Sequence, residues 1–110
     1  MRRAALSLIA LVAVAVPVAH AATERVKVKD NFFKPKLVEI VKGDKVRWVW
    51  RGSDIHNVAL KRPGSRRITH ASAFKTEGRF TFRFRRVGTW RVLCETHPRK
   101  MRMRVIVSRP

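Results

Sequence analysis

Cysteine is almost absent from this sequence. Among 110 residues only Cys94 carries a thiol, so no internal disulfide can form. Acidic residues are also few, with 7 Asp and Glu against 26 Lys and Arg, and the formal net charge is +19. The length suffices for one small domain, which excludes a two-domain enzyme. A thiol without a partner in its own chain is a reactive group, one half of an intermolecular bridge or a metal ligand.

The familiar catalytic patterns are missing as well. The sequence contains no Gly-x-Ser-x-Gly, no His-Glu-x-x-His, no glycine-rich phosphate loop and no close pair of carboxylates. Ser53, Asp54 and His56 are near neighbours, but neighbours in an extended turn point in different directions and do not form a catalytic triad. We therefore predict that the protein is not an enzyme.

Long apolar runs are confined to the N-terminus. After a basic start, the largely apolar residues 4–18 are followed by the small-x-small site Ala19-His20-Ala21, which is the order of a secretory signal. We predict a cleaved signal peptide over residues 1–21 and a periplasmic or otherwise exported domain over residues 22–110. An uncleaved membrane anchor is the alternative, although the run is shorter than the ~20 residues that span a bilayer and Pro17 interrupts it.

The charge of the exported domain indicates an anionic partner. Two of the arginines belong to the leader, so the domain carries 24 basic and 7 acidic residues and a net charge of +17. An acidic protein, an anionic envelope polymer and an anionic lipid surface are the candidate partners. Nucleic acid is not expected, because an exported protein rarely meets it. Alternatively, the basic residues only solvate the outer faces of strands.

Apolar and basic residues alternate with period two along most of the domain. Clear examples are the segments 46–50, 80–84, 90–94 and 101–107. Such alternation is typical of half-buried strands, and no helical periodicity persists over a dozen residues. We predict an all-β fold, an antiparallel Greek-key β-sandwich of seven or eight strands. The stretch 61–75 is the least regular, and Ile68 and Phe74 are the candidates to hold a short edge strand there.

Residues with metal-binding chemistry concentrate near the C-terminus. Cys94, His97 and Met101 share one short segment, and His56 precedes the cysteine by 38 residues. Two imidazoles, a thiolate and a thioether are the donor set of a copper electron-transfer site, in which methionine is a weak axial ligand. Because Cys94 ends an inward-facing strand, a turn at Pro98 can bring His97 and Met101 back around one ion.

Two methionines compete for the same role near that ion. Met101 and Met103 are two residues apart, so both face inward on the last strand. Same-face neighbours on a strand are separated by roughly 6.6 Å, which is too far for both to bind one ion. Met101 is nearer to the loop and is the predicted donor, and Met103 is predicted to pack in the core.

These motifs resemble those of the cupredoxins, the type 1 blue copper proteins that include plastocyanin, amicyanin and halocyanin. The resemblance implies that His56, Cys94 and His97 are the equatorial ligands of one copper ion and that Met101 is the axial ligand. It also implies that Asn57 braces the ligand loops by hydrogen bonding. The matching segments span essentially the whole domain: Asp30-Asn-Phe-Phe-Lys-Pro35, Val38-Glu-Ile, Gly43-Asp-Lys-Val-Arg-Trp48, Gly52-Ser-Asp-Ile-His-Asn-Val58, Gly88-Thr-Trp and Cys94-x-x-His97-x-x-x-Met101.

The resemblance implies a function too. We expect an exported, monomeric one-electron carrier that cycles between Cu(II) and Cu(I) and meets a redox partner protein with an acidic docking surface. Two alternatives are open: copper binding for delivery, buffering or resistance without redox turnover, and an exported polyanion-binding module with a structural metal site. The sequence does not separate the carrier from the copper-handling protein, because both need the same ligands.

Overall fold

The computed structural model describes residues 21–110, which form β-strands and no helix. Its nine strands are β1 (Thr23–Lys29), β2 (Phe32–Lys34), β3 (Leu37–Val41), β4 (Lys45–Trp50), β5 (Ala59–Lys61), β6 (His70–Ala71), β7 (Arg79–Arg83), β8 (Gly88–Leu93) and β9 (Arg102–Ser108). Apart from Ala21, the signal peptide predicted over residues 1–21 lies outside the described residues. Within residues 21–110, nothing has the helical length and apolar character needed to cross a bilayer.

The strands build two sheets, and the predicted all-β sandwich is confirmed. The first sheet has the order β2-β1-β4-β7 and the second the order β3-β9-β8-β5-β6. The described strands number nine rather than the predicted seven or eight, because two very short edge strands, β2 and β6, add to the regular ones. Most pairings are antiparallel, but β1 with β4 and β3 with β9 pair in parallel. Between the two strands of each parallel pair, the chain contributes at least one strand to the other sheet.

Burial follows the period-two pattern of the sequence. In β4, Val46, Trp48 and Trp50 are buried while the residues between them are half-exposed. The inward side chains of both sheets form one aromatic core, in which Phe84 meets Trp90 edge to face at 5.1 Å between ring centroids. Such ring pairs add to the stability gained from burying apolar area. This core sets the rigid frame on which the connecting loops stand.

The irregular stretch 61–75 does contain an edge strand, but it is held differently from the prediction. Ile68 and Phe74 are 36% and 48% exposed and do not anchor it. Instead β6 pairs with β5, and Ser72 exchanges hydrogen bonds with Val58: the Ser72 N–H donates to the Val58 carbonyl at 2.8 Å, and the Val58 N–H donates to the Ser72 hydroxyl at 2.9 Å. Backbone pairing needs no apolar signal, which is why the sequence pattern did not locate it.

Candidate metal centre

His56 lies in the loop between β4 and β5 and is fixed by hydrogen bonds to its backbone and its ring. Its N–H and carbonyl form a two-way bridge to Lys75, with both N···O distances at 2.9 Å. The Trp50 indole N–H also donates to the His56 carbonyl at 3.2 Å. The ring is fully buried, and its Nε2 lies 3.1 Å from the Asp30 carboxylate. With Nε2 occupied by a carboxylate, Nδ1 is the ring nitrogen free to bind a metal.

Cys94 comes directly after β8 and begins a loop that closes on itself. The Cys94 N–H donates to the Met101 carbonyl at 3.1 Å, and the His97 N–H donates to the Cys94 carbonyl at 3.1 Å. The Met101 N–H completes the ring of bonds by donating to the His97 carbonyl at 3.0 Å. Because these bonds are short-range, the loop keeps its shape before β9 begins at Arg102.

The two loops bring three of the four predicted donor residues together. The Cys94 Sγ lies 3.8 Å from the Nδ1 of His56 and 3.8 Å from the Nδ1 of His97. All three donor atoms lie within 4.8 Å of one another, with His56 and Cys94 buried and His97 half-buried. Two imidazole nitrogens and one sulfur around a common point suit a soft or borderline transition metal such as copper.

Met101, the fourth predicted donor, lies in the same loop. Its side chain is fully buried, and its backbone bonds to both Cys94 and His97 tie it to the cluster. The thioether of Met103 has a different neighbour, since the Trp48 indole N–H points to its sulfur at 3.3 Å. The two methionines therefore occupy distinct surroundings.

Asp30 is a contact of the cluster that the sequence reasoning missed. Its carboxylate accepts backbone N–H bonds from Ser53 and Asp54 at 2.9 to 3.0 Å, besides meeting His56. The backbone bonds from Asp54 and Ser53, followed by the contact with His56, lower the pKa of Asp30 from 3.8 to about 2. Asp30 is therefore a carboxylate at neutral pH. A Cβ at Gly52 would stand 2.2 Å from the carboxylate oxygen, so the glycine makes room for this contact.

Asn57 links the two loops through a pair of hydrogen bonds with Glu95. The Asn57 side-chain amide donates to the Glu95 carboxylate at 2.9 Å, and its amide oxygen accepts the Glu95 backbone N–H at 2.9 Å. Asn57 is 1% exposed and Glu95 is exposed, so these bonds join a buried residue to the protein surface. The bracing contacts that the cupredoxin resemblance implied for this residue are present.

Hydrogen bonds prepare the Cys94 sulfur for metal binding. Burial acts to raise the pKa of the thiol, but hydrogen bonds from the Thr96 hydroxyl, the Asn57 backbone and the His97 ring outweigh it and lower the pKa from 9.0 to about 6. The Thr96 hydroxyl lies 3.1 Å from the sulfur. A thiol that is already ionised at neutral pH loses no proton when a metal binds, which favours binding.

A titration of the copper-free protein tests this preparation. The ultraviolet absorbance of the Cys94 thiolate should appear with a midpoint at about pH 6 rather than at 9.0. Since the folded pKa is the lower one, ionisation stabilises the fold fully above pH 9.0, and this contribution is lost as the pH falls through about 6. Thr96→Val should raise the midpoint by removing one donor, and an unchanged wild-type midpoint near 9 would contradict the assignment.

A two-sheet β-sandwich with a His-Cys-His cluster at one end is a cupredoxin, and solved structures agree. A purple cupredoxin from Nitrosopumilus maritimus superposes with a TM-score of 0.68 at 24% identity, covering 77% of this chain and 99% of that chain. A Cu(I) amicyanin variant gives a TM-score of 0.67 at 26% identity, with coverage of 84% and 87%. The chain belongs to the family of copper binding proteins described as the plastocyanin/azurin family, whose model matches residues 20–108.

Two further comparisons limit what can be transferred. A copper-containing nitrite reductase from Thermus scotoductus has a TM-score of 0.66 at 22% identity. The match covers 90% of this chain but only 25% of the reductase chain. This likeness concerns the fold alone. No match was found among curated protein sequences. Family membership and the donor set of His56, Cys94 and His97 identify the cofactor as copper, one ion per chain.

Proposed function

We propose that this protein is an exported one-electron carrier that uses its copper ion for redox exchange. The observation that carries the proposal is the cluster of His56, Cys94 and His97, with donor atoms within 4.8 Å of one another. Two of these residues are buried and His97 is half-buried. The thiolate is thus kept from water, while the His97 ring offers an edge near the surface at which an electron can enter or leave.

When bound, copper supplies the one-electron step by passing between Cu(II) and Cu(I). The chain holds its donors still during that step. Asp30 and Lys75 fix the ring and the backbone of His56, and the closed loop fixes Cys94 and His97. Donors held by such outer contacts keep their orientation in both oxidation states. No substrate bond is made or broken, and we propose that the protein is not an enzyme.

We propose that Met101 would supply the fourth, weakly bound donor to the copper ion. Its replacement by leucine should shift the reduction potential and perturb the visible spectrum, because a weak thioether donor tunes a copper site. Met103→Leu is the matched control and should leave the colour unchanged. That control should lower the free energy of unfolding by about 1–3 kcal/mol, because the buried Trp48 N–H loses its acceptor; the volume change alone costs less than ~1.5 kcal/mol.

Visible spectra, voltammetry and urea denaturation of the two variants decide between the methionines. A spectrum that follows Met103 rather than Met101 would show that the donor assignment is wrong. Equal spectra for both variants and the wild type would mean that neither thioether binds the ion.

Electron exchange with a cytochrome tests the function itself. The protein loaded with copper and reduced to Cu(I), mixed with an oxidised c-type cytochrome in a stopped-flow instrument, should pass one electron to it rapidly and reversibly, end as Cu(II) and keep its copper. The zinc-loaded protein is the control, since zinc has no redox chemistry. Slow exchange combined with transfer of copper to a chelating acceptor would instead favour delivery or buffering. Tight adhesion to envelope polymer that persists without metal would favour a polyanion-binding module.

We propose that the mature chain is a monomer outside the cytoplasm. The leader pattern of residues 1–21 supports export, and the single cysteine, buried at 0% exposure, offers no accessible thiol for an intermolecular disulfide. The mass of the protein recovered from the periplasm or medium should correspond to a chain starting at Ala22. Recovery of the full-length chain with the membrane fraction would instead support an uncleaved anchor.

A further inference from the structure

A groove on the outer face of the second sheet is lined by a cluster of positively charged side chains. Its volume is about 550 Å³, within the range of ligand-binding sites. We call it the basic groove, and its cationic lining residues are Lys36, Lys61, Arg91, Arg102 and Arg104. The outward positions of β5, β8 and β9 supply four of them, so the groove crosses the strands rather than following one of them.

Strand register forces these charges together. Lys61 lies directly opposite Arg91, and Arg91 lies directly opposite Arg104. Neighbouring strands are about 4.8 Å apart, which places the backbones of these three residues within roughly 10 Å. Like charges that face each other across strands destabilise a sheet. The row of Lys61, Arg91 and Arg104 therefore lowers the stability of the sheet, so a structural role does not explain it.

No carboxylate in the described part of the chain neutralises the row. Across residues 21–110, the pair of His56 and Asp30 is the only ion pair within 4.0 Å. Glu39 shares the outer face but lies opposite Ile106 and does not line the groove. The positive field of the groove is consequently open to an external anion.

The groove leads toward the metal centre. Leu93, which lines it, directly precedes Cys94 and also borders a second cleft that reaches Glu95 and Pro98 of the ligand loop. The Arg102 side chain donates to the Pro98 carbonyl, which ties a groove residue to that loop. A partner seated in the groove would therefore rest against the strand end that carries the Cys94 sulfur.

We propose that the basic groove docks an acidic segment of the redox partner protein, beside the Cys94 end of β8. This inference rests on the proposed electron-carrier function. Arginine guanidinium groups form bidentate hydrogen bonds with carboxylates, and three of the five cationic residues of the basic groove are arginines. Leu37, 42% exposed, lies opposite Arg104, and such a mixture of arginine and exposed aliphatic side chains is typical of protein interfaces.

The experiment measures binding of a synthetic oligoglutamate peptide to the copper-loaded protein. The test variant carries Arg91→Glu and Arg104→Glu. The control variant carries Arg25→Glu and Arg79→Glu, which change the net charge equally on exposed positions of the other sheet. Peptide affinity should fall about tenfold or more in the test variant, and less than threefold in the control. Raising the salt concentration should weaken wild-type binding steeply.

Three results would overturn the proposal. The first is an equal loss of affinity in both variants, which would mean that only the overall field matters. The second is an absence of peptide binding by the wild-type protein. The third is groove-dependent binding to vesicles of phosphatidylglycerol and phosphatidylcholine in place of the peptide, which would assign the groove to a lipid surface.

Voltammetry separates this proposal from the one it rests on. The variants should keep the wild-type visible spectrum and a reversible copper couple, because neither changes a donor residue or its hydrogen-bond partners. A wild-type protein without a reversible couple would contradict electron transfer, whereas the peptide experiment would still decide whether the groove binds acidic chains.

Discussion

Cys94→Ser should remove the intense blue colour that the copper-loaded protein is expected to show. The colour of such sites arises from charge transfer between a thiolate and Cu(II), and a serine hydroxyl does not ionise to take its place. The Cys94 Sγ is fully buried and lies 3.8 Å from a ring nitrogen of each histidine in the cluster. The substitution therefore removes the central donor without removing its neighbours.

The measurement is the visible spectrum of the purified protein after addition of Cu(II). His70→Ala is the matched control, because His70 packs against the Phe82 ring at 4.8 Å and takes no part in the donor cluster. The control should keep its full colour. A wild-type protein that stays colourless with Cu(II) and takes up zinc instead would overturn the electron-carrier proposal, since divalent affinity order favours copper.

Asn57→Ala should lower the free energy of unfolding by roughly 1–3 kcal/mol, the net contribution of two hydrogen bonds. Asn57 is buried but Glu95 is exposed, so water can reach the Glu95 backbone N–H once the amide is removed. Both bonds measure 2.9 Å and join the loop of His56 to the loop of Cys94. Because they connect two loops that each carry donors, we expect copper affinity to fall together with stability.

Urea denaturation of the copper-free and copper-loaded proteins measures both effects. Glu95→Gln is the matched control: it keeps the backbone donor and a side-chain oxygen that can accept from Asn57, so its stability should stay close to that of the wild type. If the free energy of unfolding of Asn57→Ala also lies within about 0.5 kcal/mol of the wild-type value, other contacts hold the two loops together.

The sequence predicted the parts of this molecule that depend on local pattern. Alternating apolar and basic residues located β4, β8 and β9, because each inward position falls every second residue and the core accepts only apolar side chains there. The sequence also predicted that His56, Cys94 and His97 share one site, because their chemical types are rare in this chain, and the structure brings these three residues together. The cupredoxin fold and the copper cofactor followed from these motifs together with the family resemblance.

Features that depend on register or on distant contacts were not predicted. Asp30 meets the His56 ring from 26 residues away, and no local pattern marks that approach. The row of Lys61, Arg91 and Arg104 exists only because the pairing of β5, β8 and β9 sets these residues opposite one another. The short strands β2 and β6 are too brief to show periodicity. Each of these features follows from the assembled sheets rather than from neighbouring residues.

The position of β9 in the second sheet sets the order in which the nascent chain can fold. Although β9 comes last among the strands, it lies inside the second sheet, between β3 and β8. The ribosome must therefore complete β9 before that sheet can close, and β3 must wait for a partner made much later. Pairings between distant segments form slowly, on a millisecond to second timescale in β-sandwiches. The second sheet, which carries Cys94 at the end of β8, is thus completed only once β9 has been synthesised, so we expect metal loading to follow the synthesis of β9.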